Sequence, residues 1–167
     1  MLVKIIVLLI LASFSQEAKF SLDREATIQI LSGLMKGIIM KDNLEEMQIC
    51  LKDTSKISDQ LEEIKEDLKS KNIYGVFEGL KLAGLLMSQL PAELQDCEGM
   101  REDMLLFGKW AKIFTNPELL YQRLMHNMPA HFSEIWADIQ DANKYLRRRD
   151  YWQYGESVGE ALVLAVG

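Results

Sequence analysis

The residues most suited to chemistry include two histidines and a nearby acid. His126 and His131 are the only histidines, and Glu134 follows three residues after the second. A zinc hydrolase needs histidines four residues apart on one helix with a glutamate between them. These two are five apart with Pro129 between them, so their spacing favours a polar loop and a helix start over a metal or catalytic site.

Other catalytic patterns are equally weak. We recognise no glycine-rich phosphate loop, no nucleophile elbow and no CxxC pair. Acidic pairs such as Glu45 with Glu46 and Asp138 with Asp141 are common, but nothing marks one pair as desolvated, which acid–base catalysis would require. We therefore expect a protein that is not an enzyme and that uses no catalytic residue, metal or cofactor.

Cys50 and Cys97 are the only cysteines, 47 positions apart. Two isolated cysteines offer too few ligands for zinc. In an oxidising compartment they most simply form one disulfide, with free or intermolecular thiols as the alternatives. In the chain-entropy model such a bridge would stabilise the fold by about 4 kcal/mol.

Charged side chains form two candidate surfaces for a partner. The basic cluster consists of Arg147, Arg148 and Arg149. The acidic face of the third predicted helix includes Glu62, Glu63, Glu66 and Asp67. Basic residues at the end of a helix also stabilise its dipole, and acidic runs are usually solvated faces. If the two surfaces met between molecules, the protein would self-assemble and salt would dissociate the assembly.

Glycines and methionines indicate how the helices pack. Glycine pairs four residues apart occur at Gly33, Gly37, Gly155 and Gly159. Because glycine costs about 1 kcal/mol relative to alanine inside a helix, paired glycines favour close helix packing over a ligand slot. A methionine-rich interior could also hold a lipid, although ordinary core filling explains it equally well. Candidate liners of such an apolar-ligand site are Met87, Met104, Phe107 and Trp110.

The elements that position these residues follow a signal peptide, predicted at residues 1–15. Lys4 precedes the apolar run 5–11, and cleavage is expected after Ser15 or Ala18. The run is shorter than the roughly 20 residues that a membrane-spanning helix needs. We therefore expect the protein to be secreted or to remain in the secretory-pathway lumen, with no membrane span in its mature form.

The mature part, residues 16–167, has the length of a single domain. It carries 18 basic and 25 acidic residues, a net charge of −7. Such a charge repels nucleic acids and anionic lipid surfaces. The remaining candidate partners are an unknown protein, a second copy of the chain or a bound lipid.

Apolar residues recur at helical spacing throughout, which predicts an all-α bundle of about eight helices. Pro91 should end or kink the fourth helix, and the fifth should run from about 92 to 114, with Gly99 as a candidate break. The sixth should end near Asn127, and Phe132 should face inward on the seventh. Predicted helix starts are Asp23, Thr54 or Ser55, Asn72, Asn116 and Asp150.

An internal repeat is also predicted. A shift of 78 positions superimposes the apolar faces of two helical hairpins, and a shift of 75 relates the segments before them. This pattern predicts two similar four-helix halves, about residues 24–91 and 99–167. Chance agreement between amphipathic helices is the alternative. The pairs at a shift of 78 include Ile57 with Ile135, Leu61 with Ile139, and Leu80 with Val158.

The order of these features resembles a family of small, secreted, two-cysteine helical proteins of ciliates. The features are the signal peptide, a Gly-x-x-x-Gly helix, Cys50, a charged hairpin, Cys97, residues 110–114, Asn116-Pro117 and the closing helix with Tyr154, Gly155 and Gly159. The resemblance implies that the two cysteines are paired, and it implies no catalytic residue and no known activity. A saposin-like fold needs six cysteines, which argues against that class.

Two functions follow from these patterns. The first is a non-enzymatic extracellular or granule protein that acts through its surfaces, and the second is a carrier of an apolar small molecule or lipid. A continuous internal cavity of roughly 300 Å³ or more would favour the carrier. A filled core beneath a charge-segregated surface would favour assembly or partner binding.

Overall fold

The protein is an all-α bundle, as predicted from the sequence. The computed structural model describes residues 22–70, 72–95 and 97–167, and these contain eight α-helices and no strand. The predicted signal peptide lies outside the described residues. The helices are α1 (Arg24–Ile39), α2 (Leu44–Cys50), α3 (Ser55–Lys69), α4 (Ile73–Glu93), α5 (Arg101–Ala111), α6 (Pro117–Ala130), α7 (Phe132–Arg147) and α8 (Tyr151–Val166). Two short 3-10 helices, Glu98–Met100 and Lys112–Thr115, flank α5.

Four helices begin at predicted residues because a side chain there accepts a hydrogen bond from an amide of the first turn. These local bonds fix the helix starts independently of the tertiary structure. The acceptors are Asp23 for the amide of Ala26 (2.8 Å), Asn72 for Gly75 (2.9 Å), Asn116 for Leu119 (3.1 Å) and Asp150 for Gln153 (3.3 Å).

Helix α3 starts where predicted, but its capping hydrogen bond differs from the prediction. Thr54 occupies the N-cap position, but its side chain makes no capping bond. Instead, Asp53 accepts hydrogen bonds from the amide (3.0 Å) and hydroxyl (2.8 Å) of Ser55. An aspartate can bond to the backbone two residues ahead, and this turn replaces the predicted threonine or serine cap.

Two helices run slightly past their predicted ends, which were Pro91 for the fourth helix, with a kink as the alternative, and about Asn127 for the sixth. Helix α4 continues through Pro91 and α6 through Pro129. Both prolines lie near a helix end, and the last turns are still closed by Leu94 N to Leu90 O and His131 N to Asn127 O, each at 2.9 Å. The fifth helix therefore starts at residue 101 instead of about 92.

Helices α1 and α8 form the most extensive helix pair. The four predicted close-packing glycines lie in this interface, two on each helix. A methyl group added at Gly159 would fall 2.6 Å from the carbonyl oxygen of Leu34, and one at Gly37 would fall 2.9 Å from the Cα of Gly159. Added methyl groups at Gly33 and Gly155 would likewise meet backbone atoms of the opposing helix. The two backbones are thus too close for any side chain at these positions.

The core lies around α8, which also packs against α7, α6 and α4, while α3 packs against α4. Phe132 does not face inward as predicted, because it is 39 % exposed and its ring stacks on Trp136 at 6.0 Å between ring centroids. Completely buried side chains from six helices fill the core and include Ile28, Met35, Met47, Leu80, Met87, Phe107, Ile135 and Leu162.

The predicted disulfide between Cys50 and Cys97 is confirmed. It joins the end of α2 to the segment before α5, with the two Cα atoms 5.8 Å apart. Among the described residues, no helix combines the length and apolar character needed to cross a membrane.

Candidate functional site

A pocket with basic walls lies between the C-terminal halves of α3 and α7. Its volume is about 440 Å³. We refer to it as the α3/α7 pocket, and its lining residues are Lys65, Lys69, Asn143, Leu146, Arg147, Arg149 and Tyr151. Four of the seven residues are cationic and none is acidic, in a chain whose predicted mature part has a net charge of −7.

Helix geometry brings these side chains to one wall. Lys65 and Lys69 lie one turn apart on α3, and Asn143 and Arg147 lie one turn apart on α7. The amide nitrogen of Asn143 donates hydrogen bonds to the carbonyls of Leu68 and Ile139, both at 3.0 Å. The first of these bonds joins α7 to the end of α3 and so fixes the spacing of the two helices at the pocket.

The chain reverses sharply beside the pocket. Arg149 adopts a left-handed backbone conformation with φ 59°, and its amide donates to the carbonyl of Leu146 at 3.0 Å. A residue in this conformation is a common helix terminator, although glycine usually occupies the position. The reversal places Arg149 and Tyr151 on the pocket wall directly after α7 ends.

The acidic face predicted on α3 contacts its own basic residues. Glu62 and Glu66 both pair with Lys65, Glu66 at 3.9 Å, and Glu66 also pairs with Lys69 at 3.0 Å. Glu62 accepts a further hydrogen bond from the amide of Leu22 at 3.0 Å. Of the four predicted acids, Glu62 and Glu66 therefore already form ion pairs within the protein. The other two, Glu63 and Asp67, are exposed and half-buried respectively.

The basic cluster is divided by the structure. Arg147 and Arg149 line the α3/α7 pocket, whereas Arg148 does not. All three are exposed, and neither Arg147 nor Arg148 makes a hydrogen bond or ion pair within the described part of the chain. Arg147 and Arg149 thus line the same pocket as the lysines of α3.

A second charged region, the α7/α8 acidic patch, consists of Glu134, Asp138, Asp141, Glu156 and Glu160. Partial burial is the main cause that raises the pKa of Asp138 to about 6, and the charges of Glu160, Asp141 and Glu134 add to it. Burial also raises the pKa of Glu160, with a further contribution from Glu156. Burial, with a smaller contribution from neighbouring like charges, therefore disfavours the ionised form of Asp138.

The four candidate ligand liners belong to the core. Met87 and Phe107 are completely buried, and Met104 is 7 % exposed. Trp110 lies between Phe107 and Phe114, with ring centroids 5.9 Å and 5.2 Å apart. None of the four surface pockets described is lined by any of these four side chains.

The histidines do not come together with other ligands. His131 lies at the start of α7 with its Nδ1 2.9 Å from Glu134, and His126 is exposed on α6. Within the described residues, no three histidine, cysteine or acidic side chains are arranged to hold a metal ion.

One string was overlooked in the sequence: residues 155–159 read Gly-x-Ser-x-Gly, the letters of a nucleophile elbow. That motif requires a sharp turn between a strand and a helix. Ser157 instead lies in the middle of α8 and is buried, 7 % exposed. The string therefore forms part of the helix packing described above.

The pocket also contains residues that sequence reasoning did not identify, namely Lys65, Lys69, Asn143 and Tyr151. The predicted 78-residue shift contained a signal for them, because it pairs Lys65 with Asn143 and Lys69 with Arg147. The corresponding positions of the two hairpins face each other across the α3/α7 pocket.

Comparison with known proteins identifies a family. The family model described as SctB-like, "Secreted protein B-like", matches residues 11–164. No curated protein and no solved structure matches the chain. The family match supports the secreted helical family expected from the order of motifs, and it does not support the ciliate origin of that resemblance.

Proposed function

Because the chain belongs to the SctB-like family of secreted protein B-like chains, we propose that it is a secreted, non-enzymatic protein that acts by binding a partner through its charged surface. The partner is another protein or a second copy of the chain. The observation that carries the proposal is the α3/α7 pocket, a concentration of basic side chains on an acidic protein.

Secretion is supported by two independent features. The family consists of proteins described as secreted, and the match covers most of the chain. The Cys50–Cys97 disulfide is of a kind that persists in oxidising compartments. Both agree with the cleaved signal peptide predicted at residues 1–15.

Surface action is supported by the distribution of charge. Complementary charge steers partners together and suppresses association with the wrong ones. On this protein the cations line the α3/α7 pocket, while a separate set of carboxylates forms the α7/α8 acidic patch. A partner or second copy would therefore meet surfaces of opposite sign at different places.

A carrier function has weaker support. The methionine and aromatic side chains that were candidate liners pack against the core and line none of the described pockets. An apolar ligand would have to displace side chains that already fill the interior, which costs packing energy.

Native mass spectrometry of the protein secreted from its own cells tests the proposal. We expect a chain shortened at the signal site, lighter by two hydrogens than its reduced form, free of lipid and associated with itself or with another protein. Association should weaken as NaCl rises from about 0.05 to 0.5 M, because salt screens exposed charges. A monomer carrying one lipid per chain would favour the carrier and contradict the proposal.

Charge reversal supplies the matched control. Arg147→Glu combined with Arg148→Glu should reduce the salt-sensitive association. Glu118→Lys combined with Arg123→Glu leaves the net charge unchanged on exposed positions of α6 and should leave association intact. An equal loss of salt-sensitive association in both variants would contradict a role for the basic surface.

A further inference from the structure

We propose that the α3/α7 pocket binds a carboxylate carried on an apolar body. This inference deepens the proposed function and rests on it, because it names the chemical group that the charged surface recognises. The carboxylate would contact the exposed Arg147 and Lys69 at the rim, and its apolar body would lie against the floor, formed by Leu146 and Tyr151. Such a group occurs on an acidic residue beside a large apolar one in a partner chain, and on a small amphiphile.

The charge of the pocket favours a single negative charge. Lys65 is buried, 5 % exposed, and paired with Glu62, so its charge is balanced inside the protein. Arg147 has no hydrogen bond or ion pair within the described residues. A guanidinium donates two parallel hydrogen bonds to one carboxylate, which makes Arg147 the main contact for the ligand.

Lys69 can join this contact at little cost. Its pair with Glu66 is exposed, with side-chain exposures of 46 % and 66 %. Pairs of this kind contribute only about 0–1 kcal/mol, so exchange of Glu66 for a ligand carboxylate is nearly neutral. The buried pair of Lys65 with Glu62 is different, because breaking it would leave a charge buried without a partner.

The floor of the pocket suits an apolar body. Leu146 and Tyr151 are both partly buried in the lining. A tyrosine phenol is protonated at neutral pH, so Tyr151 carries no charge that would repel an anion. The side-chain amide of Asn143 donates its hydrogens to two backbone carbonyls. The ligand carboxylate is therefore bound by the cationic side chains and not by Asn143.

The size of the pocket also favours a carboxylate carried on an apolar body. Its volume of about 440 Å³ exceeds what a bare oxyanion fills and lies within the range of sites for small organic ligands. A free inorganic anion would leave the apolar floor in contact with water. An anion with an apolar body covers the floor and the rim together.

Isothermal titration calorimetry of the mature, disulfide-bonded protein tests this site with two probes. The first is decanoate, compared with acetate, which lacks the apolar body, and with decanol, which lacks the charge. The second is the blocked dipeptide N-acetyl-Phe-Glu-amide. We expect one saturable site for decanoate or the dipeptide, with acetate and decanol each binding at least about tenfold more weakly, or about 1.4 kcal/mol. Tighter binding of the dipeptide would identify a partner chain as the source, in agreement with the proposed function, whereas tighter binding of decanoate would identify a small amphiphile and contradict that function.

Two variants that remove the same charge locate the site. Arg147→Gln should weaken the binding of the better probe at least about tenfold. Arg148→Gln changes the next residue, which is also exposed but lies outside the pocket lining, and should change binding by less than about twofold. Equal weakening in both variants, equal binding of decanol and decanoate, or no saturable binding of either probe would overturn the inference.

This experiment separates the site from the wider function. If neither probe binds but salt-sensitive association persists in native mass spectrometry, the pocket chemistry is wrong and the proposed function stands. If a probe binds at the pocket but the secreted protein associates with nothing, the proposed function is wrong.

Discussion

At the scale of single residues, Asp138 is a side chain whose ionised form is disfavoured by folding. Burial, followed by the charges of Glu160, Asp141 and Glu134, raises its pKa from 3.8 to about 6. The folded protein therefore holds this proton more tightly than the unfolded chain does. The resulting loss of stability is complete above pH 6 and disappears as the pH falls from 6 towards 3.8.

We expect Asp138→Asn to raise the free energy of unfolding at neutral pH. Since the side chain is only partly buried, solvent screening limits the gain to about 1 kcal/mol. The gain should vanish near pH 4, where the wild-type carboxyl is protonated in the folded state. Urea unfolding at neutral pH and near pH 4 measures the gain in the free energy of unfolding. As the control, Glu63→Gln removes an exposed carboxylate from α3 and should show no pH-dependent gain in that free energy. Destabilisation at neutral pH would contradict the repulsion described here.

Tyr154 is a second residue with an unfavourable feature. Its side chain is 2 % exposed, and its hydroxyl makes no hydrogen bond within the described chain. Burial raises the pKa of the phenol, with Glu62 and Glu66 adding to the effect. A buried hydroxyl without a partner loses its hydration without compensation.

Tyr154→Phe should therefore stabilise the protein, by about 1 kcal/mol. The ring keeps its packing, and only the unpaired hydroxyl is removed. Thermal unfolding measures the change, with Tyr121→Phe as the control, because Tyr121 is 59 % exposed and its hydroxyl is solvated. A clear loss of stability in Tyr154→Phe alone would show that this hydroxyl has a favourable interaction.

At the scale of elements, the close approach of α1 and α8 depends on glycine. A methyl group at Gly155 would meet the carbonyl oxygen of Ile30 and lie 2.9 Å from the amide nitrogen of Leu34. Both obstacles are backbone atoms, which cannot move without separating the helices. Gly108, within α5, is different, because an added methyl group would lie 3.6 Å from Pro91, an ordinary contact distance.

Alanine substitutions at these two glycines should have opposite effects. Gly155→Ala should destabilise the fold by about 3 kcal/mol, since it overpacks a helix interface. Gly108→Ala should stabilise it by about 0.5–1 kcal/mol, because alanine loses less backbone entropy in a helix. Chemical denaturation of both variants checks the pair. Similar effects at the two sites would contradict the close packing of α1 on α8.

The internal repeat remains a prediction at this scale, with new observations in its favour. Under a shift of 78 positions, the end of α3 at Lys69 falls on the end of α7 at Arg147. The start of α4 at Ile73 likewise falls on the start of α8 at Tyr151. The residues before these starts, Asn72 and Asp150, both cap the following helix.

At the scale of the whole molecule, the disulfide is the covalent link between distant segments. It closes a loop of 47 positions and joins the end of α2 to the segment before α5. Restricting the unfolded chain in this way raises the free energy of unfolding. The effect does not depend on the charged surfaces, so it can be measured separately from partner binding.

Replacing both cysteines, Cys50→Ser with Cys97→Ser, should lower the free energy of unfolding by about 2–4 kcal/mol. Reducing agent should destabilise the wild-type protein by a similar amount and should not affect the double variant. Thermal unfolding with and without reductant compares the four samples. Insensitivity of the wild type to reductant would contradict a stabilising bridge.

The fold was more predictable than the candidate site. Helix starts at Asp23 and Asn116 follow from capping bonds that reach only three residues. The ends of α4 and α6 lie slightly beyond the predicted Pro91 and Asn127, because a proline removes only its own amide hydrogen bond and later amides can still close the last turn. For the site, Arg147 was identified from its charge, but its neighbours Lys65 and Lys69 were not.

The sequence by itself determined the helical class, most helix starts and the cysteine pair available for a disulfide. These properties depend on side-chain periodicity, on contacts within one helical turn and on cysteine number. Only the tertiary structure decided which charges share a pocket and which glycines meet. Asn143 bonds to Leu68 across 75 positions of sequence, and that contact exists because α3 packs on α4 while α7 packs on α8. Local patterns specify each helix, whereas the pocket is created by how the helices pack.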